Sequence, residues 1–176
     1  MSAGTATATT WLPGAEGFLL VRVGDCLCAW PVDQVREVRL PAPLARDSRL
    51  PGFVAGALSI RRLLVPVVDL RERWRSDPSR AGAGRIVLAR VPPFVVGFIV
   101  DDAIRVVRGL ARMPPAELAA PNGVDRGSIR GAIALPASSG LEASDALVLV
   151  PSEILTGEER AALAALAEES RVRVPA

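Results

Sequence analysis

The sequence contains no histidine, no lysine and no tyrosine, so nearly all of its positive charge is arginine. Without histidine there is no Ser-His-Asp or Cys-His catalysis and no imidazole metal ligand. Without lysine there is no P-loop lysine for a phosphate and no Schiff base. Phosphohistidine carriage is excluded as well. Cys26 and Cys28 are the only cysteines. Structural zinc takes four Cys/His ligands, so this pair alone does not make such a site. One residue apart on a strand, the two thiols point to one face, where a disulfide between strand neighbours is strained. Two small buried hydrophobes is the better reading, and a redox or metal pair the lesser one. No run reaches the ~18 apolar residues of a membrane-spanning helix. Met1–Pro13 also lacks the charged start and apolar stretch of a secretory signal. Residues 1–15 are therefore expected to be a disordered leader, and the protein cytoplasmic, with no direct membrane insertion.

What is present is a chain of 176 residues, half of them hydrophobic, with a net charge of +2. That length suits one compact unit or two small subdomains. Arginine alternates with acidic residues along the chain, and the three tryptophans and four phenylalanines are scattered. A nucleic-acid surface would show a basic stripe with interleaved aromatics. A small β-barrel binding RNA or DNA through arginine is accordingly the weakest non-enzymatic reading.

A β unit occurs twice. Phe18–Trp30 reads FLLVRV-GD-CLCAW, and Ile86–Phe98 repeats the pattern as IVLARV-PP-FVVGF, 68 residues further on. Gly24 opening a two-residue loop suits a type II′ hairpin. At that offset Leu20/Leu88, Arg22/Arg90, Val23/Val91, Val32/Val100, Asp33/Asp101 and Val38/Val106 coincide. Ser59-Ile60-Arg61 recurs as Ser128-Ile129-Arg130, and Leu64-Val65-Pro66 as Leu149-Val150-Pro151. The repeat is too long for a solenoid unit and predicts two related small barrels of about five strands each. Subdomain one is placed at about 16–74 and subdomain two at about 86–155. Between them the polar, Gly/Pro-bearing stretch 75–85 is the linker. Thr156 and Glu159 form a capping box that starts a C-terminal helix over about 156–170, with Leu155, Leu163 and Leu166 on its inner face.

The segment VREVR, then LPGFVAGALSIRR, then LLVPVVDLRERW resembles the CheW family of chemotaxis coupling proteins. Pro51, Phe53, Gly56, Arg61, Pro66, Asp69, Leu70 and Arg71 match its pattern, and VVGFIVDDAIRVV matches its second half at Gly97, Asp101 and Val106. Ser59 and Arg62 depart from it, where the family has Asn and Gly, and Val150-Pro151 replaces a usual Leu-Asp. The resemblance spans about Phe18 to Leu166.

The resemblance implies a mainly β fold of two intertwined SH3-like five-stranded barrels and a C-terminal helix. It implies an adaptor without catalysis or cofactor. Its partners would be a chemoreceptor cytoplasmic tip and the regulatory domain of a CheA-type histidine kinase, with self-association in signalling arrays. A CheW-like adaptor in a pathway controlling motility, development or a second messenger is the alternative. Val35 and Val106 are the groove-lining candidates for a helix-in-groove contact. Glu37 and Arg61 match a family pair at the contact surface, expected to meet as carboxylate and guanidinium fork. Gly56 is the remaining partner-binding candidate, at a point where a side chain would obstruct the backbone or a partner. Pro66, Asp69, Gly97 and Asp101 are assigned structural roles, Gly97 either at a close approach or at a β-bulge. Asp69 and Asp101 each follow an apolar β run, where a carboxylate caps backbone amides. Paired-carboxylate catalysis would need both in one cleft.

Overall fold

The apolar runs of the repeat form strands buried on both faces. FLLVRV is β1 (Phe18–Val23) and CLCAWP is β2 (Cys26–Pro31). Their counterparts are β6 (Arg85–Val91) and β7 (Phe94–Val100). The remaining strands are β3 (Val35–Arg39), β4 (Gly56–Ile60), β5 (Leu63–Asp69), β8 (Asp102–Val107), β9 (Arg112–Met113), β10 (Ile129–Ala134) and β11 (Asp145–Leu149). Among the described residues the regular structure is completed by the α-helices α1 (Leu70–Arg73), α2 (Pro151–Ile154) and α3 (Gly157–Glu169) and by short 3-10 turns at Val32–Gln34, Arg126–Ser128 and Ala137–Ser139. The computed structural model describes residues 17–61, 63–77, 83–108, 112–113, 118, 120–121, 123–141 and 145–169. The expected leader, Arg62 and the middle of the linker lie outside these.

Two sheets result, ordered β8-β1-β2-β11-β10-β9 and β3-β6-β7-β5-β4. The fold is mainly β, as expected. The first sheet gains a sixth strand in the two-residue β9, which pairs with β10. The second sheet has a matching feature, an isolated bridge from Ala45 to Ala57 of β4. Neither sheet follows one half of the sequence. The first-half hairpin β1–β2 lies among β8, β10 and β11, and the second-half hairpin β6–β7 lies among β3, β4 and β5. The halves exchange hairpins, which is the physical content of intertwining.

Strand alternation sorts the side chains into three cores. Leu19, Val21, Cys28 and Trp30 from one sheet meet Val87, Ala89, Val96 and Phe98 from the other in a shared central layer. Phe18, Leu20, Leu27 and Ala29 turn the opposite way, into the first barrel, with Ile133 and Val148. Ile86, Leu88 and Val95 likewise fill the second barrel, with Leu58, Val65 and Val67. Period-two strands with both faces buried must read as continuous apolar runs, which is why these segments show no polar alternation. At the centre the fully buried rings of Trp30 and Phe98 meet edge to face, centroids 5.4 Å apart at 83°. Such a contact contributes about 0.5–1.5 kcal/mol beyond its buried area.

The register tests the repeat residue by residue. Val38 pairs with Val87 of β6, and Val106 with Leu19 of β1. These are equivalent places, so the 68-residue offset holds through β3 and β8. Further on it fails. Val67 lies beside Gly97 and Val148 beside Ala29, which makes Val67-Val68 the counterpart of Val148-Leu149. The sequence match of Leu64-Val65-Pro66 with Leu149-Val150-Pro151 is four residues out of register. Ser59 likewise lies near the end of β4, whereas Ser128 precedes β10. Pro151 opens α2, where its missing N–H costs nothing.

The C-terminal helix is capped as the sequence predicts. The Glu159 amide donates to Thr156 Oγ1 at 3.2 Å, and the Thr156 amide donates to Glu159 Oε2 at 2.8 Å. Leu155 and Leu163 are buried and Leu166 is half-buried. The sequence gives no sign of a second use of Glu159. Its carboxylate also accepts both Arg73 Nη atoms, at 2.6 and 2.8 Å, tying α3 to α1.

Candidate partner-binding surface

Among the described residues the exposed large hydrophobics are Val38 at 41%, Leu40 at 70% and Val106 at 49%. Val38 and Val106 lie on the two edge strands β3 and β8, and Leu40 follows directly on β3. Cross-strand partners share a sheet face. Val38 faces with Val87, Val35 with Ala89 and Val106 with Leu19, and all three partners belong to the shared central layer. Val35, half-buried, packs directly against that layer. Strand β8 also touches β6, the neighbour of β3. The apolar side chains of both edges therefore open from one inter-sheet layer. Val35 and Val106 stand on the same layer, as a groove would require, and Val38 joins them. Sequence reading passed over Val38, although the aligned pair Val38/Val106 held the signal.

Glu37 takes a different direction and a different partner from the one expected. It faces with Leu88, towards the second barrel, and its carboxylate lies 3.4 Å from Arg39 Nη1. Arg61 stands in the β4–β5 turn, exposed and in the left-handed region at φ 46°. Strands β3 and β4 are the opposite edges of their sheet, so the expected Glu37–Arg61 fork is not formed. The Glu37–Arg39 pair is solvent-exposed and of the kind that contributes ~0–1 kcal/mol.

Gly56 is buried beneath the chain itself. A Cβ there would stand 2.7 Å from Leu44 Cβ and 3.0 Å from the Ala45 carbonyl oxygen. Glycine at this point admits the 44–45 segment that bridges to β4. Gly97 lies in an unbroken register between β6 and β5, so no bulge is present. Its missing Cβ leaves room for Val67 Cγ2 at 3.0 Å and Ile86 Cγ2 at 3.2 Å. Pro66 is buried and lines an apolar cleft with Leu50, Phe94, Leu163 and Leu166 beneath α3.

Both aspartates hold backbone in place. Asp69 is the N-cap of α1, accepting from the Arg71 amide at 2.9 Å and from Arg71 Nε and Nη2 at 3.1 and 2.9 Å. This fork raises the Arg71 guanidinium above its ordinary value, against the opposing effect of burial. Asp101 Oδ2 accepts from the Gly24 amide at 2.5 Å, and the Asp101 amide donates to the Arg22 carbonyl at 2.9 Å. Gly24 itself sits at φ +58°, while Asp25 is not among the positive-φ residues. That is the type II′ pattern expected of this turn. One aspartate ties β5 to α1, and the other ties the start of β8 to the β1–β2 turn.

Three comparisons bear on this arrangement. Residues 17–158 match the model of the CheW-like domain. The chain is 28% identical over 89 residues to a probable chemotaxis protein CheW of Rhizobium etli, covering 50% of this chain and 57% of that protein. It is 29% identical over 107 residues to protein FrzA of Myxococcus xanthus, covering 60% of this chain and 64% of that protein. These alignments span less than two thirds of each relative's length. The fold resembles that of scaffolding protein TtCheW from Thermoanaerobacter tengcongensis, with a TM-score of 0.67 at 17% identity, covering 84% of this chain and 92% of the other. With the family model matched over nearly all of the described residues, and with the two-sheet architecture in agreement, the chain belongs to the CheW-like family.

Proposed function

We propose that this protein is a non-catalytic adaptor that couples chemoreceptors to a CheA-type histidine kinase, taking the receptor's helical hairpin tip into the groove between β3 and β8. The observation that carries the reading is that the exposed large hydrophobics among the described residues, Val38, Leu40 and Val106, all lie on or directly beside the edge strands β3 and β8. An amphipathic helix lays an i, i+3, i+4, i+7 stripe into such a groove, and Val35 would form its floor. Burying each valine adds roughly 1.5 kcal/mol, so introducing a charge at any one of them weakens binding by at least about tenfold. Arg61, presented on a turn at the opposite edge of the second sheet, is available to a second partner at the same time. The aspartates that invite an acid/base reading are engaged with backbone amides. The protein would act in the cytoplasm, held at receptor arrays by its partners. No described helix is long and apolar enough to cross a membrane.

The test is saturable binding of purified protein to a chemoreceptor tip and to the regulatory domain of the kinase. Val38→Asp and Val106→Asp should weaken the receptor complex, and Arg61→Glu should weaken one of the two complexes, all without unfolding the protein. Absence of binding to both partners would end the proposal. The likeness to FrzA favours one second reading, an adaptor of the same build serving a different chemosensory output. The kinase and receptor genes beside this one distinguish the two.

A further inference from the structure

Cys26 and Cys28 lie in the shared central layer and take no part in the partner-binding surface or the polar contacts described above. Both are free thiols. They project from β2 into the shared layer with Sγ atoms 3.4 Å apart, in hydrogen-bond contact. Their surroundings differ. Cys28 is 0% exposed, while Cys26 is 8% exposed and forms part of the wall of a surface cleft. Gly24, Asp25, Trp74, Arg75 and Ser76 line this cleft as well. Cys26 is thus the member of the pair nearer the surface, at the wall of the cleft, and Cys28 is fully enclosed. The hydrogen bond with Cys28 lowers the Cys26 thiol below its ordinary value although burial opposes this. The same contact, with burial, pushes Cys28 well up. The thiolate is the nucleophile in thiol chemistry, so the difference runs in the same direction as the difference in access.

We propose that Cys26 and Cys28 form a reactive dithiol, in which Cys26 attacks small peroxides entering the cleft and Cys28 closes onto it as a disulfide. The Cys26 thiolate takes the distal oxygen of hydrogen peroxide, giving a sulfenic acid and hydroxide. The Cys28 sulfur then displaces that oxygen, forming the S–S bond and releasing water. Hydroxide takes up the proton that Cys26 gave off. The two sulfurs lose two electrons and the peroxide, reduced to two waters, gains them. A strand rise of about 3.3 Å per residue puts the two Cα atoms about 6.6 Å apart, near the upper end of the ~4.4–6.8 Å that a disulfide spans, and the Cβ atoms must draw in towards ~4 Å, which bends β2 locally. The bond therefore forms under strain and is readily reduced, as suits a reversible modification.

The test uses the full chain. Iodoacetamide should alkylate Cys26 on the order of tenfold faster than Cys28 in the native protein. Hydrogen peroxide should remove both free thiols together, with loss of two hydrogens from the intact mass, reversed by dithiothreitol. In Cys28→Ser the reaction should stop at a sulfenic acid on Cys26 that dimedone traps. In Cys26→Ser the Cys28 thiol should survive peroxide. Equal alkylation of the two thiols, or none before denaturation, would overturn the proposal. So would accumulation of sulfinic acid on Cys26 with Cys28 still reduced. The alkylation and mass measurements on unsubstituted protein decide the matter whether or not a serine variant folds.

Discussion

At the scale of single residues, two positions show how closely the sheets are fitted. Gly97 has three apolar side chains within 3.4 Å of where a Cβ would stand, in a strand whose register is fixed on both sides. Gly97→Ala is expected to cost about 1–3 kcal/mol through overpacking, read as a lower urea midpoint at unchanged slope. Asp101 acts through a hydrogen bond. Asp101→Ala leaves the Gly24 amide without its carboxylate acceptor and should cost about 1–3 kcal/mol in the same assay, with Asp101→Asn recovering part of it. The structural roles of Asp69 and Asp101 could be read in advance, because a carboxylate after an apolar run has few other uses. The partner of Glu37 could not. A register shift between Val35 and Glu37 turns that side chain towards the second barrel and Arg39, and a β-bulge leaves no mark in VREVR.

At the scale of elements, α3 is held by one carboxylate with two tasks. Glu159 completes the helix cap and receives the Arg73 fork. Burial pushes its pKa up, but the hydrogen bonds from Arg73 and Thr156 outweigh this and leave it below the ordinary 4.5. A carboxylate lowered on folding stabilises fully above its unfolded pKa, and that contribution fades as pH falls through the folded value. The stability of the wild type should therefore decline below about pH 4.5 with a component that Glu159→Gln lacks, measured as urea midpoint against pH. The cap was legible because Thr156 and Glu159 are three residues apart. The fork was not, because Arg73 lies 86 residues away. Repeat matching had the same limit. Both hairpins were found because two-sided burial writes itself as apolar runs, whereas the chance likeness of Ser59-Ile60-Arg61 to Ser128-Ile129-Arg130 joined the end of one strand to the start of another.

At the scale of the whole molecule, each sheet takes a central hairpin from the other half of the sequence. Pairing order is a long-range property, and local pattern carries no trace of it. Cleaving the chain between Asp77 and Ala83 should give halves that do not fold alone but regain native circular dichroism when mixed. Intact protein should unfold in a single transition by fluorescence and circular dichroism alike, since Trp30 and Phe98 couple the sheets at their centre. The exchange also bears on ancestry. Once two copies have traded hairpins, a lineage can discard neither, because losing one removes the middle of what remains. Among the described residues the outermost strands β3, β4, β8 and β9 pair along one edge only, apart from the bridge that Ala45 makes to β4. Those open edges are where another chain could add a strand without disturbing the layer that joins the two sheets.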